Sequence, residues 1–295
     1  MIKLGLIGMS KGNGHPYSWA AIINGYEEKF MLDCGFPVIP EYLSKHKFPE
    51  SSIKTMKVSH IWTQDINISN HIAKTTFIPN VVPHYEDMIG HVDAILLARD
   101  DAENHLEISK PFLMAGIPIF IDKPLAYSLE EANNIFSLQK REGQIFSCSA
   151  FKYALEVESL RSELDTIGDI KLIKTTVPKD WNRYSIHGIN PVFSLVPNLG
   201  NISKSIVWKS KDRVTLIVEF SSGIELQIQS AGKCPMPVSL SIFGDIGYRN
   251  IMITDIFYAF KKSLMKFEEC IVSEITDTKP IEIINIIKLI ELGIR

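Results

Sequence analysis

Along the first 124 residues, short apolar runs alternate with stretches whose apolar residues recur at helical spacing. The apolar runs predict strands at 2–8, 57–63, 92–98 and 117–122. The intervening stretches predict helices at 15–26, 66–76 and 102–116. Strands that alternate with helices need crossover connections and form a parallel sheet. We therefore expect an α/β domain over 1–124, in which the proline-containing segment 27–54 is an irregular insertion.

Beyond residue 124 the pattern changes to strands joined by short turns. Strands are predicted at 169–177, 204–210, 213–220, 223–231, 237–244 and 248–254. Amphipathic helices are predicted on either side of them, at 128–143, 154–168, 256–271 and 281–295. Because short turns favour antiparallel neighbours, we expect an α+β domain over 125–295 with a mostly antiparallel open sheet flanked by helices. Its last helices are expected to cover this sheet or to pack back toward the first domain.

The strand at 213–220 is expected to have one apolar and one mixed face. The apolar face has Val214, Leu216, Val218 and Phe220, and the mixed face has Thr215, Ile217 and Glu219. The flanking helices would cover the apolar face only. The mixed face would be left as a solvated surface or as an interface between copies of the chain.

Composition and charge narrow the class of protein. The hydrophobic fraction of 45% is that of a globular chain, and the net charge of −3 gives nucleic acid no electrostatic reason to bind. The four cysteines form no C-x-x-C pair, so we expect no metal site and a reduced, cytoplasmic protein. No apolar run approaches the ~18 residues of a membrane span, and no secretory leader is recognisable, so no membrane partner is expected.

Polar residues cluster where the predicted parallel strands end, which is where such sheets bind ligands. The first strand is followed by G-M-S-K-G-N-G-H, in which the glycines depart from the usual G-x-G-x-x-G spacing. A strand end that leads into a helix N-terminus can bind phosphate through backbone N–H groups, so a pyrophosphate loop is expected here. The alternative is a surface turn that has lost the cofactor. The candidate cofactor-binding residues are Gly8, Ser10, Lys11, Gly12, Asn13, Gly14 and His15. His15 would face the nicotinamide or cap the helix.

The next two strand ends also offer cofactor-binding candidates. If Asp65 binds the adenosine ribose, NAD is favoured, whereas Thr63 in that place would exclude a 2′-phosphate less strongly. Arg99 and Asp100 are expected to border the cofactor ribose or the nicotinamide. Their alternative is a surface ion pair.

Three segments together resemble the Gfo/Idh/MocA oxidoreductases, the glucose–fructose oxidoreductase and inositol dehydrogenase family. The segment D-K-P at 122–124 resembles the family's E-K-P motif, and V-D-A-I-L-L-A-R-D-D-A-E-N-H matches its upstream strand, turn and helix. The segment Y-S-I-H-G-I-N-P-V-F at 184–193 looks like the family segment ending in G-x-H-x-x-D. The resemblance implies a Rossmann-type first domain, NAD or NADP as cofactor, and a sugar, nucleotide sugar or related hydroxy compound as substrate. It also implies a homodimer or homotetramer, because family members commonly pair through the second sheet.

The resemblance also assigns roles to individual residues. Lys123 would bind substrate or assist proton transfer, and His187 would be the acid/base of the second domain. Asp122 stands at the position of the glutamate in E-K-P and is a further candidate for cofactor binding. The Lys123–Pro124 peptide bond would be cis. Asn190 stands where a carboxylate often accompanies the histidine. Asn190, Tyr184 and Trp181 are the candidates for lining the substrate pocket.

Physical chemistry leaves two classes of function open. In an NAD(P)-dependent dehydrogenase or reductase acting on a CH–OH group, Lys123 would donate to the developing alkoxide and His187 would relay the proton. The non-catalytic alternatives are that Lys123 is a solvated loop lysine and that His187 is a structural or capping histidine in a loop. The altered glycines and Asn190 favour a binding or scaffold protein that has lost efficient cofactor use. The intact Lys123 and His187 favour the enzyme.

Overall fold

The computed structural model describes residues 1–295, which divide into two compact units. The first unit comprises Met1–Ala126, Glu130–Ser147 and Ser263–Lys279, and the second comprises Tyr127–Leu129, Cys148–Lys262 and Pro280–Arg295. No helix of the protein is both long and apolar enough to span a membrane.

The first unit is built on a six-stranded parallel sheet with the order β3-β2-β1-β4-β5-β6. The strands are β1 (Ile2–Ile7), β2 (Met56–Trp62), β3 (Asn80–Val81), β4 (Ala94–Leu97), β5 (Ile119–Ile121) and β6 (Ile145–Phe146). Every residue of β4 is fully buried, as expected of a strand covered on both faces. The strand order reverses between β1 and β4, so the loops that follow these two strands border the crevice where such sheets bind ligands.

The helices of this unit confirm the predicted alternation and correct one expectation. They are α1 (His15–Asn24), α2 (Glu28–Met31), α3 (Val38–Leu43), α4 (Ile66–Thr75), α5 (His105–Met114) and α6 (Leu129–Ser137). The segment 27–54 was expected to be irregular, but it contains α2 and α3. Pro37 precedes α3 and Pro40 lies in its first turn, where a missing N–H is tolerated. The strands β3 and β6 were not predicted, because two residues show no periodicity.

The second unit contains a six-stranded mixed sheet with the order β12-β11-β7-β10-β9-β8. Its strands are β7 (Ile170–Val177), β8 (Ile202–Ser210), β9 (Arg213–Phe220), β10 (Glu225–Ser230), β11 (Val238–Gly244) and β12 (Tyr248–Ile253). Only the pairing of β7 with β10 is parallel, so the expected mostly antiparallel sheet is confirmed. In β9, Leu216 and Val218 are fully buried while Glu219 is exposed, as the alternation predicted.

The helices of the second part of the chain include one that the sequence did not reveal. They are α7 (Leu155–Glu163), α8 (Trp181–Leu195), α9 (Ile256–Ser273) and α10 (Pro280–Ile294). Gly188 and Pro191 both disfavour a helix interior and therefore obscured α8. Asp180 caps α8 by accepting the N–H of Arg183 at 3.1 Å. His187 consequently lies within a helix, and the alternative of a loop histidine is wrong.

Gly188 allows α8 to approach the sheet closely. A Cβ at this position would lie 2.4 Å from Oγ1 of Thr175 and 3.1 Å from Cγ1 of Val177, both on β7. The missing side chain therefore sets the depth at which α8, and with it His187, packs on the strand.

We expect Gly188→Ala to destabilise the second unit by about 1–3 kcal/mol, because the added methyl group would displace α8 from β7. Urea unfolding followed by fluorescence measures the loss. Gly247→Ala is the matched control, since its Cβ would meet only ordinary contacts of 3.7–4.0 Å. A Gly188→Ala protein as stable as the wild type would show that the contact between α8 and β7 can accommodate a methyl group.

Candidate active site

The glycines of the loop between β1 and α1 serve different purposes. A Cβ at Gly8 would lie 2.5 Å from Pro16, and one at Gly14 would lie 2.6 Å from Ile39 and 2.8 Å from Phe36. These two glycines therefore permit close packing. Gly12 has a φ of 82° and open space beside it. It is the glycine at which a ligand could approach the backbone.

The same loop leaves several backbone N–H groups for a ligand. The amides of Lys11, Gly12 and Gly14 have no acceptor within the chain, whereas Met9 donates to Oε1 of Gln64 at 2.9 Å. Gly14 is the N-cap of α1 and supplies no capping side chain. Unsatisfied N–H groups at a helix N-terminus attract anions, so this loop fits the pyrophosphate of a dinucleotide.

Ser10 and Asn13, which are predicted to bind the cofactor, join the loop to the neighbouring strand ends. The Ser10 hydroxyl donates to Oδ1 of Asp100, after β4, at 2.5 Å. The Asn13 amide donates to Oδ2 of Asp122, after β5, at 2.9 Å. Both side chains are buried. They hold the loop in place and leave its backbone for the ligand.

Asp122 is a buried carboxyl group with several hydrogen-bond partners at this edge of the sheet. It is 1% exposed, and besides Asn13 it accepts the backbone N–H of Lys123 at 2.8 Å and lies 2.5 Å from Nδ1 of His15. Burial alone would raise the pKa of Asp122, but the charges of His15 and Lys123 and the hydrogen bonds of His15 and Asn13 hold it well below its usual range. Asp122 is therefore a carboxylate at neutral pH.

Lys123 is a buried cation beside a second carboxylate. It is 5% exposed, and its Nζ lies 3.9 Å from Oδ2 of Asp100, which is itself buried. The Lys123–Pro124 peptide bond is cis, as the resemblance implied. A buried lysine near a carboxylate is fixed in position and ready to donate hydrogen bonds to an incoming oxygen.

The remaining candidates of the first unit are bonded locally. Asp65 is exposed and caps α4 by accepting the N–H of Asn67 at 2.8 Å, while Thr63 is buried and bonded to Ser69.

Arg99 makes a two-pronged ion pair with Asp101, at 2.9 and 2.5 Å, and also donates to Gln64. Burial opposes ionisation of Asp101, but Arg99 and Asn104 keep its pKa below the usual value. Gln64 and Asp101 follow predicted strands but were not among the candidate site residues, because their partners are set by the adjacency of the β1, β2 and β4 ends.

In the second unit a chain of polar groups surrounds His187, which is 8% exposed. Its Nδ1 lies 2.8 Å from the Ser149 hydroxyl, and the N–H of Ser149 donates to Oδ1 of Asn190 at 2.8 Å. Asn190 in turn donates to Oε1 of Glu282 at 3.0 Å, and Lys152 lies 3.5 Å from the same oxygen. Asn190 thus orients the backbone at Ser149, the residue whose hydroxyl contacts His187. Ser149, Lys152 and Glu282 were missed because sequence spacing does not connect them with His187.

The two aromatic candidates of this unit differ in exposure. Tyr184 is half-buried, its ring lies 5.3 Å from that of His187, and its hydroxyl is hydrogen-bonded to Lys179. Trp181 is 3% exposed and its indole N–H donates to the carbonyl of Ile290 at 2.8 Å. The indole N–H of Trp181 is therefore already engaged by α10.

We expect the stability contributed by the Asp122 charge to depend on pH. The folded-state pKa lies below the unfolded value of ~3.9, so this stability is present above about pH 4 and is lost as the pH falls toward the folded pKa. Asp122→Asn should lower the free energy of unfolding at neutral pH, and the deficit should shrink below about pH 4.

Urea unfolding across this pH range measures the deficit. Asp65→Asn is the control at neutral pH, because asparagine and aspartate are equivalent N-caps and this variant should unfold like the wild type. A deficit in Asp122→Asn that stays constant on acidification would mean that the charge of Asp122 does not stabilise the fold.

Comparison with known proteins finds one family model and a set of similar structures. The family model for Gfo/Idh/MocA proteins, described as an oxidoreductase family with an NAD-binding Rossmann fold, matches residues 39–149. No curated protein matches the sequence. Many solved structures do resemble the fold.

The similar structures align over nearly the whole chain. Apo scyllo-inositol dehydrogenase from Lactobacillus casei has a TM-score of 0.77 at 14% identity, covering 99% of this chain and 95% of its own. Myo-inositol dehydrogenase from the same organism, in complex with NAD(H) and myo-inositol, has a TM-score of 0.77 at 13% identity, covering 100% and 94%. GenD2 from gentamicin A biosynthesis, in complex with NAD, has a TM-score of 0.75 at 12% identity, covering 100% and 93%. At these identities the likeness establishes the fold.

The D-K-P segment lies within the residues that the family model matches, so the resemblance there is confirmed, as are the Rossmann-type first sheet and NAD as the family's cofactor. The expected class of enzyme, an NAD(P)-dependent oxidoreductase, is the class of that family. This chain therefore shares the fold of these structures over nearly its full length, and its residues 39–149 match the Gfo/Idh/MocA family model.

Proposed function

We propose that this protein is an NAD(P)-dependent dehydrogenase or reductase that interconverts CH–OH and C=O on a polyhydroxylated ring, such as a cyclitol, a sugar or a nucleotide sugar. The observation that supports this most directly is the buried Lys123, paired with Asp100 at the carboxyl edge of the parallel sheet. The similar structures named as scyllo- and myo-inositol dehydrogenases favour a cyclitol or sugar among the possible alcohols.

The cofactor would be held by the loop after β1. The N–H groups of Lys11, Gly12 and Gly14, with the N-terminus of α1, would bind the pyrophosphate, and Lys11 adds a positive charge. When bound, the nicotinamide supplies the hydride chemistry, for which no protein nucleophile is needed. The chain must then fix the substrate oxygen and move its proton.

Lys123 is the group that we assign to the substrate oxygen. Its ammonium donates hydrogen bonds to the hydroxyl and stabilises the negative charge that develops there as the proton leaves. Asp100 restrains Nζ, and Ser10 restrains Asp100, so the donor is positioned before substrate arrives. Preorganised donors of this kind stabilise a transition state without reorganisation at the moment of reaction.

In the second unit we assign His187 to proton exchange, with Tyr184, Asn190 and Trp181 as substrate-binding residues. Ser149 holds Nδ1 of His187 and Asn190 holds the backbone of Ser149, so the imidazole has a defined orientation. Fixing one ring nitrogen determines which way the other faces, as a proton relay requires.

A binding or scaffold protein without efficient turnover is the second candidate. The loop after β1 favours this candidate, because the side chains of Ser10 and Asn13 donate to Asp100 and Asp122 rather than to a ligand. Binding of a reduced dinucleotide distinguishes the two, because a scaffold of this kind would no longer bind one well.

We also propose that the chain forms a homodimer or homotetramer through the open face of the second sheet. On that face, the edge strands β8 and β12 expose Ile206, Trp208, Tyr248 and Met252 by 55–67%. Ile217 lies beside Ile206 in the register of β8 and β9. A self-complementary interface of standard size, ~800 Å² per partner, would cover these side chains.

Dinucleotide binding and turnover test the proposed enzyme. We expect NADH or NADPH to bind below about 1 mM by fluorescence titration, and the oxidised form to be reduced in the presence of myo-inositol, scyllo-inositol or a related sugar. Lys123→Ala should lose at least about 2–4 kcal/mol of transition-state stabilisation, roughly 30- to 900-fold in kcat/KM, with little change in cofactor affinity.

Lys110→Ala, an exposed lysine on α5, is the control for removal of a positive charge from the same unit. Near-normal turnover by Lys123→Ala would end the assignment of Lys123. Failure of the wild-type chain to bind either dinucleotide would favour the scaffold.

The proposed assembly predicts a mass well above that of the 33.3 kDa chain in light scattering at micromolar concentration. Ile217→Asp should dissociate the oligomer, because a charge would be buried without a partner in the interface. Ile246→Asp, at an exposed turn off the sheet face, should not. A monomeric wild type would refute the proposal.

A further inference from the structure

His15 is an imidazole held by a carboxylate within the first unit. Its Nδ1 lies 2.5 Å from Oδ2 of Asp122, and its ring stacks on Trp19 with centroids 5.1 Å apart and an interplanar angle of 14°. The His15 side chain is 17% exposed, whereas that of Asp122 is 1% exposed. The buried carboxylate thus anchors one edge of a ring that still reaches solvent.

The hydrogen bonds of Asp122 determine which ring nitrogen of a neutral His15 carries the proton. An ionised carboxylate only accepts hydrogen bonds, and Asp122 already accepts from Asn13 and from the backbone of Lys123. The short contact with His15 must therefore be an Nδ1–H donating to the carboxylate. In the neutral imidazole the proton is then on Nδ1, and Nε2 has the lone pair.

His187 has a different partner at the corresponding nitrogen. Its Nδ1 meets the hydroxyl of Ser149, a neutral group, and the nearby Asn190 is an amide. A carboxylate on Nδ1 fixes the tautomer and stabilises the imidazolium that forms when Nε2 takes a proton. A hydroxyl orients the ring but supplies no charge for this. Of these two Nδ1 partners, only that of His15 is an anion.

We propose that His15 is an acid–base residue of the reaction, with Asp122 as the carboxylate that positions it. This inference rests on the proposed oxidoreductase function and assigns the substrate proton to His15 in place of His187. It replaces the expected roles of His15 as a helix cap or a cofactor ligand and of Asp122 as a cofactor ligand.

The proton and the electrons balance as follows for oxidation of an alcohol. The hydroxyl O–H bond breaks and its proton forms an N–H bond at Nε2 of His15, while the C–H hydrogen leaves with its electron pair to the oxidised nicotinamide. The resulting imidazolium is stabilised by Asp122 and releases the proton to solvent. Lys123 donates to the same oxygen throughout and faces both Asp100 and Asp122, which offset its charge. Reduction of a carbonyl uses the reverse steps.

The first arm of the test measures the state of the ring by NMR of the chain labelled with ¹⁵N-histidine. We expect the neutral His15 ring to have its proton on Nδ1, and His15→Asn identifies its signals. A His15 ring protonated on Nε2 would overturn the proposal, because its lone pair would then face Asp122. This readout needs neither cofactor nor substrate.

The second arm separates proton transfer from a structural role. With whichever alcohol the turnover assay of the wild type identifies, His15→Asn should lower kcat/KM by about 10²–10⁴-fold and remove a limb of its pH profile. The NADH dissociation constant should stay within about threefold of the wild-type value, because the amides that bind pyrophosphate are unchanged. His84→Asn, an exposed histidine of the same unit whose capping role asparagine preserves, is the control and should change neither.

The outcomes distinguish the two proposals. A wild-type chain that neither binds NADH nor turns over alcohols defeats the proposed function itself. If the wild type is active and His15→Asn retains the pH limb, His15 is not the acid–base residue, and a lost limb in His187→Asn would assign the step to His187. If His15→Asn weakens NADH binding as much as it weakens turnover, His15 is a cofactor ligand and the inference fails.

Discussion

The buried carboxylate of Asp122 is the constraint on which the rest of the first unit's polar edge depends. A charge removed from water must be compensated by hydrogen bonds and opposite charge, or it destabilises the fold. Asp122 meets this requirement by accepting from Asn13, His15 and the backbone of Lys123. One buried group therefore fixes the loop after β1, the start of α1 and the turn after β5.

This arrangement explains why the loop after β1 departs from the usual glycine spacing. In a loop anchored by glycines alone, the backbone must approach the strands closely. Here Ser10 and Asn13 form side-chain bonds to the β4 and β5 ends, so packing decides the positions of Gly8 and Gly14. Of the glycines in this loop, Gly12 alone combines a positive φ with open space, beside backbone amides that remain for an anion.

Each unit orients one imidazole, but the hydrogen-bond partners that orient it differ between the two units. In the second unit, α8 packs tightly on β7 through Gly188, and a line of neutral hydrogen bonds from Ser149 to Asn190 restrains His187. In the first unit a charged carboxylate restrains His15 directly. The difference matters chemically, because a neutral partner fixes geometry while a charged one also stabilises the protonated ring.

The sequence by itself determined the elements that local periodicity encodes: the four longer parallel strands, the hairpins of the second sheet and the helices that flank them. It also supplied Lys123 and His187 as candidate site residues, because the D-K-P and I-H-G-I-N segments are contiguous. It could not show α8, whose Gly188 and Pro191 contradict local propensity but suit the close contact with β7. The tertiary structure alone decided that Asp122 pairs with His15, 107 residues away, and that Ser149 pairs with His187. Such pairings arise where strand ends and helices that are distant in sequence meet, and burial there requires every polar group to find a partner.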